Sequence, residues 1–388
     1  MTTTAQGPED ILEAVETRYA EGAAAAVPEL CCPVDYDPAY LKVIPQEVVE
    51  RDYGCGDPSK WLLPGEAVLD LGSGTGKICF IASQVVGKEG HVLGVDMTDD
   101  MLEVARRNAP VVAERIGYGN VTFLKGRIED LALDREALDA RLHEHPVRSE
   151  KDLSDIETWS AAERAQRPMV ADESVDVVVS NCVLNLVDPA RKRVMFEEIF
   201  RVLNRGGRAI ISDIVSDEDI PKHMAEDPEL WSGCISGAFQ EDAFLKAFED
   251  AGFYGIEVVS RGVDPWHVVE GIEFRSVTVR AWKGKQGACR EQGHAVLYKG
   301  PWSAVTDDDG HEFPRGVPMA VCGKTYGIMT REPYASHVVG MEPSKPISDA
   351  DATAFPCDGS RRRSPAELKG ASNLSAEDEG CCEPGECC

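Results

Sequence analysis

The chain has 388 residues, 68 acidic against 40 basic, a formal net charge of −28 and 43% hydrophobic content. That length accommodates one large or two modest domains, and the apolar share supports a real core. The acidic balance argues against nucleic acid or an anionic membrane as partner, because phosphate binding needs a basic surface. No apolar run approaches about 18 residues, the length that spans a bilayer, so no membrane contact is expected. Met1 to Asp10 is polar, with neither a basic start nor an apolar signal core, and a cytoplasmic location is expected. There the 13 cysteines stay mostly reduced, which suits chemistry or soft-ion binding better than a disulfide framework.

The first predicted element is a helix over Glu9 to Ala26, ending before Pro28. Cys31-Cys32-Pro33 follows. Adjacent cysteines do not bridge each other without strain, so two readings stand: one buried and one exposed thiol, or a mobile thiol arm above an active site. Tyr53-Gly54-Cys55-Gly56-Asp57-Pro58 is a turn. Its glycines make the backbone flexible and predict an exposed, usable Cys55 thiol.

Past the linker Pro64-Gly65-Glu66, an apolar run from Ala67 to Leu71 enters Gly72-Ser73-Gly74-Thr75-Gly76, and a helical pattern follows from Lys77 to Val86. This is strand, tight turn and helix, half of a βαβ unit. The three glycines are expected to let the backbone approach a ligand where a Cβ would collide, with free helix N–H groups behind. The spacing G-x-G-x-G is neither the dinucleotide fingerprint nor a P-loop. A second run, His91 to Val95, ends at Asp96, where an acid can accept both hydroxyls of a ribose. A third, Val121 to Leu124, leads to Gly126-Arg127-Ile128-Glu129-Asp130, and an apolar residue beside an acid suits an adenine. Three strand ends would then hold the methionine, ribose and base of S-adenosylmethionine, as in class I methyltransferases. The expected cofactor set is Asp70, Gly72, Ser73, Gly74, Gly76, Asp96, Met97, Ile128, Glu129 and Asn181. The competing reading makes Asp96 and Glu129 ordinary helix-capping acids.

Residues 131–171 are highly charged, with helices over Leu131 to His143 and Ser154 to Gln166. A βα connection is usually about 2–6 residues, so this is an insertion, read as a surface ornament in preference to a lid. The fourth strand, Ser174 to Ser180, ends in Asn181-Cys182, where open α/β sheets bind ligands. Cys182 therefore stands beside the cofactor methyl or packs under the next helix. An amphipathic helix from Pro189 to Leu203 stops at a C-cap over Asn204 to Gly207, and the fifth strand is Arg208 to Asp213. Asp227 to Ala238 reads as a substrate loop or short helix around Cys234. A helix, Glu241 to Ala251, and strands Tyr254 to Ser260 and Ile272 to Trp282 complete a seven-stranded Rossmann-like sheet. The expected regions are a thiol arm (1–60), a cofactor-binding domain (61–215), a substrate region with the closing strands (216–283), a small β-rich domain (284–339) and a disordered tail (340–388). His294 to Lys299 and Met319 to Val321 are the strands read in the small domain. The tail ends in Cys381-Cys382 and Cys387-Cys388, pairs suited to soft-ion capture.

Methyl transfer to oxygen or nitrogen usually needs a base, and no convincing one stands on the strand-end motifs. Cys55, Cys182 and Cys234 stand there instead. Three converging thiolates make a trigonal site for a soft element. Trivalent arsenic fits, since it takes three sulfur ligands and keeps a lone pair able to attack a methyl directly. Tyr-Gly-Cys-Gly at 53–56, Leu-Asp-Leu-Gly-Ser-Gly-Thr-Gly at 69–76, Val-Asp-Met at 95–97, Ser-Asn-Cys-Val-Leu-Asn-Leu at 180–186 and Cys234 resemble the arsenite methyltransferase family. The resemblance covers about Cys32 to Gly255. It implies methylation of arsenite and methylarsenite in arsenic detoxification, with Cys182 and Cys234 as arsenic ligands throughout. Cys55 joins for the first methylation, and Cys32 is its disulfide partner, although the Cys31-Cys32 doublet leaves that sulfur open. The implied partners are arsenic as its thiol complex and a thiol reductant, glutathione or thioredoxin. Two rival readings are a methyltransferase for an organic acceptor and a metalloid-sequestering thiol protein.

Overall fold

The structure is a computed structural model and describes residues 15, 17–22, 34–51, 53–357 and 359–369. Contacts divide the chain into two compact units, Met1–Lys283 and Gly284–Cys388. Within the first, the regions expected at 61–215 and 216–283 share one sheet.

That sheet begins with β1 (Ala67–Leu71), β2 (His91–Asp96), β3 (Val121–Lys125), β4 (Val175–Asn181) and β5 (Leu203–Ser216). It continues with the two-residue β6 (Phe239–Gln240), β7 (Tyr254–Arg261), the short β8 (His267–Val269) and β9 (Ile272–Trp282). The strand order is β3-β2-β1-β4-β5-β9-β7. The pairs from β3 to β5 are parallel, and β9 runs antiparallel to both β5 and β7. Central strands of such a sheet are covered on both faces and read as continuous apolar runs. Alternation then sorts their side chains between two cores. Val68 of β1 joins Ile78, Phe80 and Val92 on one face, while Leu69 and Leu71 join Val178, Phe196 and Ile211 on the other. Strand order reverses between β1 and β4, so a crevice opens at their carboxyl ends.

Helix α1 (Lys77–Val86) has the bounds its apolar spacing predicts and starts at Gly76, whose φ is 93°. The insertion folds as α2 (Arg135–Glu144) and α3 (Glu150–Gln166), capped by the side chains of Asp134 and Ser149. Only Leu138 and Ser160 are buried along them, as befits an ornament. Two hydrogen bonds close its base, Met169 N–H to Ala132 C=O at 3.0 Å and Val170 N–H to Leu131 C=O at 2.9 Å. α4 (Pro189–Val202) ends directly in β5. The C-cap expected over Asn204 to Gly207 is instead strand, because the backbone there pairs with Lys283: Gly206 donates to its carbonyl at 2.7 Å and Gly207 accepts from its N–H at 2.9 Å. Of the expected N-terminal helix, Val15 and residues 17–22 are helical, and the rest lies outside the described residues.

The second unit holds a four-stranded sheet, β15 (Val338–Met341), β11 (Ala295–Tyr298), β14 (Pro318–Ala320) and β17 (Arg361–Arg362), in that order. A hairpin of β12 (Ala304–Thr306) and β13 (Glu312–Pro314) and a pair of β10 (Arg290–Glu291) and β16 (Thr353–Ala354) accompany it. Disorder expected from residue 340 onward is therefore corrected through 369. Polar composition there hides strand pairing and a buried Arg363 guanidinium 2.7 Å from Glu291.

Arg208 of β5 is buried and forms a fork with Glu66 at 2.6 and 3.0 Å while donating to the Trp61 carbonyl. Arg208→Ala strands a largely buried carboxylate, and the unfolding free energy in urea is expected to fall by about 3–5 kcal/mol.

Candidate functional site

A cavity of about 330 Å³ opens at the carboxyl ends of β1, β2 and β4. Asp70, Gly72, Ser73, Gly74, Asp96, Met97, Ile128, Glu129, Asn181 and Cys182 line it, joined by Tyr19, Arg51, Tyr53 and Arg127, which sequence reasoning missed. Three features of the glycine loop and its acid suit a polar ligand. A Cβ built on Gly74 meets nothing within 4 Å, so its backbone faces open space. Ser73 Oγ is buried without a hydrogen-bond partner. Asp96 accepts the N–H groups of Gly74 and Thr98, each at 2.8 Å, which aims its carboxylate across the cavity mouth. Burial pushes its carboxyl up, against the pull of those two amides.

Gly72, on the cavity wall, and Gly76 also make room for neighbouring side chains. A Cβ on Gly72 would sit 2.5 Å from Val183, and one on Gly76 would sit 2.7 Å from Phe123. Both glycines admit neighbouring side chains, and Gly76 is absent from the cavity wall. Glu129 caps no helix, and the chain beside it closes a tight bridge between Arg127 and Asp130.

The thiols meet at one side of this cavity. Sγ of Cys55, Sγ of Cys182 and a carboxylate oxygen of Asp213 all lie within 4.8 Å of one another. Cys234 is adjacent, its Sγ 3.5 Å from the Cys182 carbonyl and 3.8 Å from the Tyr19 hydroxyl. Among the described residues the three sulfurs do not all fall within 4.8 Å, so the trigonal convergence expected is a pair of thiols with a third at its flank. Cys182 and Cys234 both adopt φ of 62°, a left-handed conformation uncommon outside glycine and often found at functional sites. The Cys182 N–H still reaches Ser212 C=O at 2.8 Å, so β4 and β5 hold the turn.

Cys55 is buried, which corrects the expectation of an exposed thiol. Its flanking glycines press the loop onto the sheet: a Cβ on Gly54 would be 2.0 Å from Asn181 Nδ2, and one on Gly56 would be 2.5 Å from Ser212 Oγ. Asn181 Oδ1 accepts the N–H groups of Cys55 and Gly56 at 2.9 and 3.0 Å, and its Nδ2 donates to the Gly56 carbonyl and the Tyr36 hydroxyl. Asn181, expected to bind cofactor, lines the cavity and also positions Cys55 with its carboxamide. Cys31, Cys32 and the terminal pairs Cys381-Cys382 and Cys387-Cys388 lie outside the described residues.

Asp213 and Lys192 are the electrostatic partners the sequence did not reveal. Asp213 lies inside an apolar run and reads as core. Burial pushes its carboxyl up to about 6, opposed by the Ile214 N–H and the Lys192 ammonium. Burial likewise brings Lys192 down to about 8. Its ammonium donates to the Gly237 carbonyl and lies 4.0 Å over the Phe239 ring. Asn185 donates to the carbonyls of Ile214 and Cys234, so it joins β5 to the Cys234 loop. Cys55, Cys182, Ile235 and Phe274 share a small apolar cluster, and Trp266 packs against it.

A family model described as a methyltransferase domain matches residues 62–156 and 153–252, and one described as a domain of unknown function matches residues 285–373. An arsenite methyltransferase of Aquipseudomonas alcaligenes is 33% identical over 325 residues, covering 79% of this chain and 83% of its own. One of Mus musculus is 30% identical over 306 residues, covering 76% and 72%. The crystal structure of an arsenic(III) S-adenosylmethionine methyltransferase from Chlamydomonas reinhardtii is 28% identical, with a TM-score of 0.55 over 84% of this chain and 100% of that one.

Asp96 is expected to accept the cofactor ribose, and charge-assisted bonds of that kind are worth about 1.5–3 kcal/mol, so in Asp96→Ala calorimetry should show affinity for S-adenosylmethionine falling roughly ten- to a hundredfold. Asp213 governs a pH effect. Its folded carboxyl titrates near 6, above the ordinary value of an unfolded aspartate, so the folded state holds the extra proton between them. The stability this supplies is complete below about pH 4 and is lost as pH rises through about 6. In Asp213→Asn that decline should vanish from unfolding curves recorded across pH 4–7.

Proposed function

The chain belongs to the arsenite methyltransferase family, and from that premise we propose that it holds trivalent arsenic through cysteine thiolates while methylating it, in arsenic detoxification. S-adenosylmethionine is its cofactor and supplies an electrophilic methyl group when bound. The cavity fits that cofactor by its open Gly74 backbone, its unpartnered Ser73 hydroxyl and its buried Asp96 carboxylate. Asp70, Gly72, Ser73 and Gly74 would take the methionine part. Asp96 would take the ribose, and Met97, Ile128 and Glu129 the adenine.

One observation carries the arsenic reading: Cys182 lines the cofactor cavity while its sulfur belongs to the group with Cys55 and Asp213. A soft ion bound there lies beside the cofactor cavity. Cys182 and Cys55 supply sulfur ligands, and Cys234 adds a third by a short shift of its sulfur. Each As–S bond releases a thiol proton, and each As–O bond broken releases hydroxide, so water leaves. Asp213, beside both sulfurs and titrating near 6, is suited to take the thiol proton and return it to the departing hydroxide. The surrounding apolar cluster keeps bulk water from competing for arsenic. Attack of the arsenic lone pair on the methyl leaves arsenic pentavalent; Cys32 and Cys55 are proposed to return it to the trivalent state by giving up two electrons and pairing transiently as a disulfide, which glutathione or thioredoxin then reduces.

Methylarsenite has room for only two sulfur ligands. Cys55→Ser should therefore abolish methylation of arsenite and spare that of methylarsenite, whereas Cys182→Ser and Cys234→Ser should abolish both. Serine is a hard oxygen ligand that stays protonated near neutral pH. Product speciation with each substrate, in excess thiol and after a cofactor-binding check, reads this directly. Full activity in Cys182→Ser would refute the thiolate site.

A further inference from the structure

Among the described residues, the wall of the cofactor cavity carries the acids Asp70, Asp96, Glu129 and Asp188 and the arginines Arg51, Arg127 and Arg191. S-adenosylmethionine meets the acids with a sulfonium and an ammonium. Its one anion, the carboxylate of the methionine part, calls for a cation. The arginines stand on different elements. Arg127 follows β3, beside the Ile128 and Glu129 expected to frame the adenine, and Arg191 is in the first turn of α4.

Arg51 belongs to the glycine-loop end. It follows the short helix Gln46–Glu50. The Thr75 hydroxyl, on a loop residue only 2% exposed, is shared between the carbonyls of Val48 and Arg51 at 3.3 and 3.4 Å. The loop that takes the methionine part and the residue that carries the guanidinium are thus fastened to each other. Glu47, on the same helix, directs its carboxylate elsewhere: Arg107 reaches it at 2.5 Å and Asn108 at 2.8 Å, whereas Arg51 Nη1 stays 3.4 Å away. The Arg51 side chain is 22% exposed, so water does little to screen its charge. A largely covered cation whose acidic neighbour is already held by another arginine is placed to take an anion from the cavity.

Given the cofactor reading of the cavity, we propose that Arg51 receives the carboxylate of S-adenosylmethionine and selects the cofactor against analogues that lack that carboxylate. A guanidinium offers two parallel N–H groups to a carboxylate, so the contact sets direction as well as distance. The sulfonium lies between the methionine carboxylate and the ribose along the cofactor. With Arg51 holding the first and Asp96 the second, the methyl group is positioned without any contact to the methyl itself.

The test is calorimetry on the full-length chain with S-adenosylmethionine and with its decarboxylated form, S-adenosyl-3-methylthiopropylamine, which keeps the sulfonium, amine, ribose and base. The wild-type chain should bind the intact cofactor about ten- to a hundredfold more tightly. Arg51→Ala and Arg51→Gln should each weaken S-adenosylmethionine by that factor and leave the decarboxylated form within about twofold, so that the preference vanishes. Arg51→Lys, which keeps the charge without the fork, should retain part of it. Arg127→Ala and Arg191→Ala should keep the ratio of the two affinities. The ratio needs neither arsenic nor turnover, so it stands apart from the thiol reading, and a wild-type chain that binds neither ligand would refute the cofactor cavity along with its Arg51 subsite. Equal weakening of both ligands in Arg51→Ala and Arg51→Gln marks a purely structural role and overturns the proposal. So does a wild-type chain that binds both forms alike, or a preference lost in Arg127→Ala or Arg191→Ala instead.

Discussion

The Asn181 carboxamide is the fastening on which the thiol site depends. It sits at the end of β4, one residue before Cys182, and engages the backbone of the Cys55 loop with both its oxygen and its nitrogen. Two cysteines far apart in sequence are thereby referred to one side chain. The sheet supplies the rigidity: β4 lies between β1 and β5, in parallel register with both. Because functional side chains held by such a scaffold need little reorganisation, the ordering entropy of the site is met during folding rather than at binding.

Around that fastening the charges are arranged in depth. Asp213 and Lys192 are both buried, each moves the other toward ionisation, and burial opposes both. The carboxylate is in turn held by the N–H groups of Leu184 and Ile214, each at 2.8 Å. A buried acid with backbone donors on both oxygens keeps a fixed orientation while its proton affinity approaches neutrality. That combination suits a group that must hand a proton on without moving.

Much of the cofactor half was legible in the sequence, because its signals are local. The apolar run from Ala67 to Leu71, the glycine loop and the helix that follows are read by periodicity alone, and the acid at the end of β2 by its distance from that loop. Less was legible in the thiol half, where the informative contacts are long-range. The glycines around Cys55 look like a flexible turn until Asn181 and Ser212 are seen packed against them. Asp213 hides within the Ile210–Ile214 run, and Tyr19 lies on a helix with no motif to mark it. The polar stretch after residue 340 reads as disorder because strand pairing with β11 and β14 leaves no trace in composition.

The insertion between β3 and β4 is the least integrated part of the first unit. Its two helices span more than thirty residues, yet chain entry and exit are joined by two adjacent backbone hydrogen bonds at Leu131 and Ala132. Those bonds act as a closed seam: the sheet beneath is indifferent to how much chain hangs above it. Such a seam is a port, a place where added chain length leaves the register of the strands beneath unchanged. For the experimenter the same port is an attachment point, where a reporter domain or tether enters the polypeptide without passing through the sheet.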